Sequence, residues 1–254
     1  MQINHWRYLS SKPESTGIFK RQPDDFVVQE ILGYEPAGEG EHIYLWVRKE
    51  GLNTAYLAEQ IAKFAQLPLR AVTYAGRKDK HSVSEQWFGV HKPGKAEYDW
   101  SALNVSGATV LKAIRHNKKL RTGVLKGNKF TILIRDITPS DDLEHRIAKV
   151  SLSGAPNYYG PQRFGDSRYD PKGSNLVLAE KMINGEVIRN RNKRSMAISA
   201  LRSWLFNEVL SERINAGDFA QPLEGDVMSL AGNASYFVSE DIDETIKQRL
   251  ATRD

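Results

Sequence analysis

Among the ionisable groups of this 254-residue sequence, Asp79 keeps the least ordinary company. It lies in Tyr74-Ala75-Gly76-Arg77-Lys78-Asp79-Lys80-His81, a lone carboxylate flanked by Arg77, Lys78 and Lys80 between two strand signals. Cations this near favour the ionised form and are expected to hold the carboxyl below about 3.9, its ordinary value. Such an anion serves as nucleophile or base rather than as acid. The competing reading is a glycine-containing loop with a surface ion pair. Two further segments, Lys126-Gly127-Asn128-Lys129-Phe130 and Asn157-Tyr158-Tyr159-Gly160-Pro161-Gln162-Arg163-Phe164-Gly165, mix amides, aromatics and cations around glycine. These are ingredients for stacking an unpaired base and bonding its edge, although similar runs also form turns with buried aromatics.

Charge points to an anionic partner. The sequence carries 36 Lys and Arg against 31 Asp and Glu, and the excess is clustered. Lys112 to Lys129 holds seven cations (Lys112, Arg115, Lys118, Lys119, Arg121, Lys126 and Lys129) and no acid, and Val187 to Asn207 holds five more, among them Arg191, Lys193 and Arg194. Each phosphate such residues neutralise releases counterions, which supplies most non-specific affinity for nucleic acid. Solvated basic faces are the alternative.

Other chemistries are excluded or unsupported. Cysteine is absent, which removes disulfides, thiolate nucleophiles and cysteine-bound metals. The six histidines make no H-x-x-x-H pair, so no metal is expected. Gly38-Glu39-Gly40 lacks the rest of a dinucleotide fingerprint, and neither a Walker A sequence nor a G-x-S-x-G elbow is present. No apolar run reaches membrane-spanning length, and the first residues lack the apolar stretch of a signal peptide, so a cytoplasmic protein is expected.

The elements that must hold these residues follow from periodicity. Phe26 to Leu32 and Ile43 to Lys49 read as strands, the second by its alternation of Ile43, Leu45 and Val47 against Tyr44, Trp46 and Arg48. Asn53 and Thr54 offer capping oxygens to a helix with Leu57, Ile61, Phe64 and Ala65 on one face, stopped by Pro68. Val72 to Ala75, Gln86 to Val90, Val110 to Ile114 and Phe130 to Asp136 read as further strands. Ser140 opens a helix with Asp141, Asp142 and Glu144 in its first turn and Leu143, Ile147 and Val150 on one stripe, ended by Gly154 and Pro156. Helices are then expected over Leu176 to Asn184 and Ser195 to Ile214, the latter with Met196, Leu201, Leu205, Val209 and Leu210 along one side. The pattern predicts an α+β fold, a mixed and largely antiparallel sheet with helices on one face, and a domain boundary near Gly154.

Taken together, the motifs resemble the TruD family of transfer-RNA pseudouridine synthases. The resemblance rests on Gly17-Ile18-Phe19-Lys20 with Asp25-Phe26-Val27-Val28-Gln29-Glu30, on Ala75 to His81 followed by Gln86-Trp87, on Lys126 to Phe130, on Pro156 to Gly165, and on Arg191-Asn192-Lys193-Arg194-Ser195. It implies an isomerase that detaches uracil from C1′ of a uridine, turns it and rejoins it through C5 without cofactor or metal. The implied substrate is the uridine at position 13 of transfer RNA.

The resemblance puts the catalytic carboxylate at Asp79, with Lys20, Lys78, Asn128 and Phe130 around the substrate. Arg77, Lys80, Arg115, Lys118, Lys119, Arg121, Lys126, Arg163, Arg191, Lys193 and Arg194 are the expected RNA contacts, and the protein is expected to be a monomer. Residues 1–151 would form the N-terminal part of a pseudouridine synthase catalytic domain, and 152–254 an α/β insertion peculiar to the family. The sequence is expected to end inside that insertion without the returning strands, which puts turnover by this chain alone in question. A non-catalytic RNA-binding module is the runner-up, because a pure binder has no need of a carboxylate amid phosphate-binding cations, and a structural protein ranks last, because it leaves the basic run and the motifs without a role.

Overall fold

In a computed structural model of the chain, residues 1–3, 5–94, 97–168, 170–230 and 235–252 are described. The chain divides into two compact units, one of residues 14–143 and one of residues 1–13 with 144–254. The fold class is α+β, as the periodicity predicts.

The first unit is built on a six-stranded sheet of β2 (Phe26–Ile31), β3 (His42–Glu50), β4 (Val72–Tyr74), β5 (Val83–His91), β6 (Ala108–His116) and β7 (Gly127–Ile132). The order is β6-β3-β5-β2-β7, with β4 also pairing β5. All pairs are antiparallel except β2 with β5, where Val27 stands opposite Val83. Alternation along β3 gives the sheet two different faces. Ile43, Leu45 and Val47 join Phe88 and Val90 of β5 in a core closed by Leu57, Ala58 and Ile61 of α1 (Thr54–Phe64). On the other face Tyr44, Leu32, Ala75 and Leu120 form a smaller cluster, with Trp87 packed against it.

Three expectations need correction here. The run Phe130 to Asp136 is not one strand: β7 ends at Ile132, and β8 (Ile134–Thr138) pairs with β1 (Thr16–Phe19) in a separate two-stranded sheet. Ile132 already pairs with Phe26, the first residue of β2, so the Leu133 N–H turns to the Asp25 carbonyl and the chain must leave the sheet. The expected capping oxygens of α1 make no cap, because Thr54 Oγ1 bonds the Asp79 loop instead. Finally, α2 (Ser140–Ser153) forms with its acidic first turn, but it buries no residue, and Ile147 and Val150 are exposed.

In the second unit, Leu176 of α3 (Ser174–Ile183), Ala200 of α4 (Arg191–Ala216), Ile3 and Phe164 form the core. The strands β9 (Val227–Ser229) and β10 (Tyr236–Val238) form a hairpin, and α5 (Glu244–Thr252) follows. Asn190, whose side chain accepts from Lys193 N, starts α4 four residues before the expected Ser195. Its expected apolar side is also wrong, since Met196, Leu205 and Val209 face solvent while Ala197, Ala200, Ser203, Asn207 and Ser211 are buried. The small residues let α3 approach closely, and the polar ones are paired. Asn207 accepts from Tyr159 N and donates to Tyr159 O, and Ser211 Oγ accepts from Arg7 N.

Candidate active site

The strands bring one end of the sheet together around Asp79, on the face that carries α1. Its side chain reaches Lys20 Nζ, 2.6 Å from Oδ2. Its backbone carbonyl accepts from Lys49 Nζ at 3.0 Å and from Ser82 Oγ at 2.8 Å. The preceding residue is held as firmly: Lys78 N donates to Thr54 Oγ1 at 2.9 Å, and Lys78 Nζ pairs with the Glu30 carboxylate. Glu30 also accepts from Trp87 N at 2.8 Å. Gln86 completes the frame by accepting from Thr54 Oγ1 at 3.0 Å and donating to the Gly76 carbonyl at 3.4 Å. The loop from Gly76 to Ser82 is therefore tied to β2, β3, β5 and the start of α1.

Aromatic rings line the same end. Lys20 adopts φ of +55°, which an L-residue takes only when its surroundings hold it there, and its ammonium lies 3.8 Å from the Phe26 ring centroid. Phe26 meets Phe19 edge-on at 5.5 Å and Phe130 at 5.9 Å. Phe130 is 54% exposed, opposite Val28 in the β2–β7 pairing, and Asn128 stands opposite Glu30. Phe130 thus serves the strand and still presents its ring.

Burial shapes the electrostatics. Desolvation raises the pKa of Glu30, against the opposing pull of Lys78 and the Trp87 N–H. It pushes Lys49, which is fully buried, down to about 8. Among the described residues no cluster of three His, Asp or Glu side chains is arranged to hold a metal ion. No helix among them is long and apolar enough to cross a membrane.

Of the residues singled out in the sequence, Asp79, Lys20, Lys78, Asn128 and Phe130 converge here, with Arg77 and Lys80 exposed on the same loop. The basic run does not lead into one pocket. Lys118, Lys119 and Arg121 follow β6 near the His42 end of β3, and Arg115 is engaged by Glu97 and by the carbonyls of Gly40 and Lys92. Lys126 is exposed just before β7. In the other unit Arg163 is held by Ser199 and Ser203 and covers the Tyr159 ring, while Arg191, Lys193 and Arg194 are exposed in the first turn of α4.

Sequence reasoning gave Lys49 only a place in a strand and Thr54 only a capping role, and treated Glu30, Phe26 and Gln86 only as motif residues. Two were detectable: Lys49 continues the apolar alternation Ile43, Leu45, Val47, and Glu30 follows Phe26 and Val28 on one face of β2. A charge at such a position must find a buried partner.

The geometry sets one carboxylate, paired with a cation, beside an exposed aromatic ring, and relatives supply the class. The profile described as tRNA pseudouridine synthase D (TruD) matches residues 2–187 and 186–254. A tRNA pseudouridine synthase D of Pseudoalteromonas atlantica is 95% identical over 254 residues, which is 100% of this chain and 73% of that protein. Its counterpart in Shewanella oneidensis is 47% identical over 252 residues, covering 99% of this chain and 66% of that one. A crystal structure of a putative tRNA pseudouridine synthase D from Methanosarcina mazei shares the fold with a TM-score of 0.71 at 20% identity, over 97% of this chain and 73% of that one. The chain belongs to the TruD family of tRNA pseudouridine synthases, which are isomerases.

Proposed function

We propose that this chain isomerises uridine to pseudouridine in transfer RNA, at position 13, with Asp79 as the catalytic carboxylate. The observation that carries the reading is the 2.6 Å Lys20–Asp79 pair beside the Phe26 and Phe130 rings. It supplies one anion in fixed orientation and one exposed ring for a base taken from its stack. The reaction breaks the bond from N1 to C1′ and forms one from C5 to C1′. A proton leaves C5 and another is gained at N1, so no electrons are exchanged with a partner.

Asp79 acts on the sugar, either by attacking C1′ or by taking the C2′ proton, and both routes need the anion. Extruding a paired uridine costs a few kcal/mol, which stacking on Phe130, about 1–3 kcal/mol, offsets. Asn128 bonds the base or its neighbours. Lys78, committed to Glu30, acts by positioning Asp79. In this scheme residues 1–151 belong to the catalytic domain and 152–254 to the family insertion, and the basic residues carry the phosphates of the RNA. The protein works in the cytoplasm as a monomer without metal or cofactor.

Tritium release from transfer RNA labelled at uracil C5 tests the proposal. Asp79→Asn should abolish release while leaving RNA affinity equal or slightly higher, because a negative charge is lost. Undiminished release from that variant would remove Asp79 as the catalyst. Tight binding of transfer RNA by the wild-type chain without any release would instead favour an RNA-binding module.

A further inference from the structure

The end of the sheet opposite to Asp79 holds a cleft of about 890 Å³, on the face away from α1. Tyr34, His42, His116, Lys118, Lys119 and Arg121 line it, and no acid does. Three full cations line one hollow against a single nearby carboxylate, Glu41 beside His42, and leave an excess field that an anion would satisfy.

The cations sit on a fixed support. Tyr44 Oη donates to the Lys118 carbonyl at 3.0 Å, and the side chain of Leu120 is buried over Gly89, where an added Cβ would lie 2.9 Å from Leu120 Cβ. On the other flank Gly40, at φ of +114°, passes so close that a Cβ there would lie 2.5 Å from the His116 carbonyl oxygen. Lys119 and Arg121, on either side of the buried Leu120, are left exposed.

Hydrogen-bond donors complete the site. His116 is 7% exposed, and its Nδ1 accepts from Ala37 N at 3.1 Å. In the neutral ring the proton therefore rests on Nε2, a donor from a residue that lines the cleft. The Tyr34 ring stacks on this imidazole at 5.3 Å and orients it.

We infer that this cleft is a second RNA site, which clamps the phosphodiester backbone of the folded transfer RNA at a distance from the uridine being isomerised. The inference rests on the reading of the chain as a transfer-RNA enzyme. His42 and Lys49 lie seven residues apart on β3, about 23 Å at the rise of a strand, and on opposite faces. Lys49 bonds the Asp79 carbonyl, so only an RNA long enough to run from one face and end of the sheet to the other touches both places, and the body of a transfer RNA supplies that length where a hairpin of a few base pairs does not. The volume suits a stretch of backbone better than a single phosphate ion.

The test compares full-length transfer RNA with a short hairpin carrying the target uridine, by fluorescence anisotropy across a salt series. The variant is Lys119→Glu with Arg121→Glu, which alters exposed side chains and leaves the anchors intact. Affinity for transfer RNA should fall 10- to 100-fold, and the slope of log affinity against log salt should drop by about 2, since each lost phosphate contact removes about 0.9. The loss should be confined to the full-length RNA. Equal loss for both RNAs, or none for either, would overturn the inference. So would inorganic phosphate that saturates the cleft below millimolar concentration while the variant binds transfer RNA normally, because the ligand would then be the free ion. Tritium release measured in parallel on both RNAs records failure of the isomerisation reading separately, as no release from either, and leaves the binding ratio readable.

Discussion

Replacing either member of the Glu30–Lys78 pair should destabilise the protein more than replacing both. The Glu30 side chain has no exposed surface and that of Lys78 only 9%. Removing one partner of such a pair strands a buried charge and costs about 3–5 kcal/mol. Lys78→Met falls at the lower end, because Glu30 can retreat to its protonated form. In the double variant Glu30→Gln with Lys78→Met no charge remains, the glutamine oxygen still accepts from Trp87 N, and methionine fills most of the lysine stem. The two changes should therefore couple by about 2–3 kcal/mol in urea unfolding followed by tryptophan fluorescence.

The same pair predicts a pH dependence. Burial raises the folded pKa of Glu30 above its ordinary 4.5, so between those values the folded state holds more protons and stability falls as pH rises. Lys78 opposes that rise, and removing it extends the window upward. The deficit of Lys78→Met relative to wild type should thus be smallest near pH 4.5 and grow toward neutrality. Single effects that add within about 0.5 kcal/mol, or a deficit independent of pH, would refute the reasoning.

Two other variants probe the same frame. Burial takes Lys49 from 10.5 to about 8, so the unfolded chain binds more protons between those values and stability rises with pH across them, by up to ~1.4 kcal/mol per unit. Lys49→Met should lose that rise in denaturant titrations at pH 8 to 10.5, and an unchanged slope would show that the lysine is not held as described. Thr54→Val removes a donor to Gln86 and an acceptor for Lys78 N, at a cost of about 2–4 kcal/mol, whereas Thr54→Ser keeps both and should cost far less. Equal urea midpoints for the two would contradict the bonding scheme.

The sheet was legible because its strands carry period-two patterns bounded by turn residues, as in β3, where Ile43, Leu45 and Val47 enter the core. What the pattern misread is just as physical. The aliphatic alternation of Phe130 to Asp136 runs through the point where β2 has no further residue to pair, so one apolar run serves two sheets. Helix α4 buries Ala, Ser and Asn because its neighbours bring backbone groups that need partners, and a reading based on hydrophobicity points to the opposite side. The short strands β1, β9 and β10 are only three or four residues long, too short for alternation to register.

In the candidate site the sequence marks out Asp79 but not what holds it, and the reason lies in where the supporting groups stand. Glu30, Lys49, Ser84 and Gln86 all occupy buried positions on three adjacent strands, where apolar residues would stabilise the sheet more cheaply. Each finds its partner in the Asp79 loop or in another member of the set: Glu30 in Lys78, Lys49 in the Asp79 carbonyl, Gln86 in the Gly76 carbonyl, and Ser84 in Ser82. The polar end of the sheet is thus stable only with the loop in place, and the loop is ordered only by that end of the sheet. A substitution that frees Asp79 must therefore also unsettle β2, β3 or β5, so loss of stability and loss of catalytic geometry should arrive together at Glu30, Lys49 and Gln86. At Asp79 itself they should separate, because its side chain is 39% exposed and its neighbours hold the loop through the backbone carbonyl.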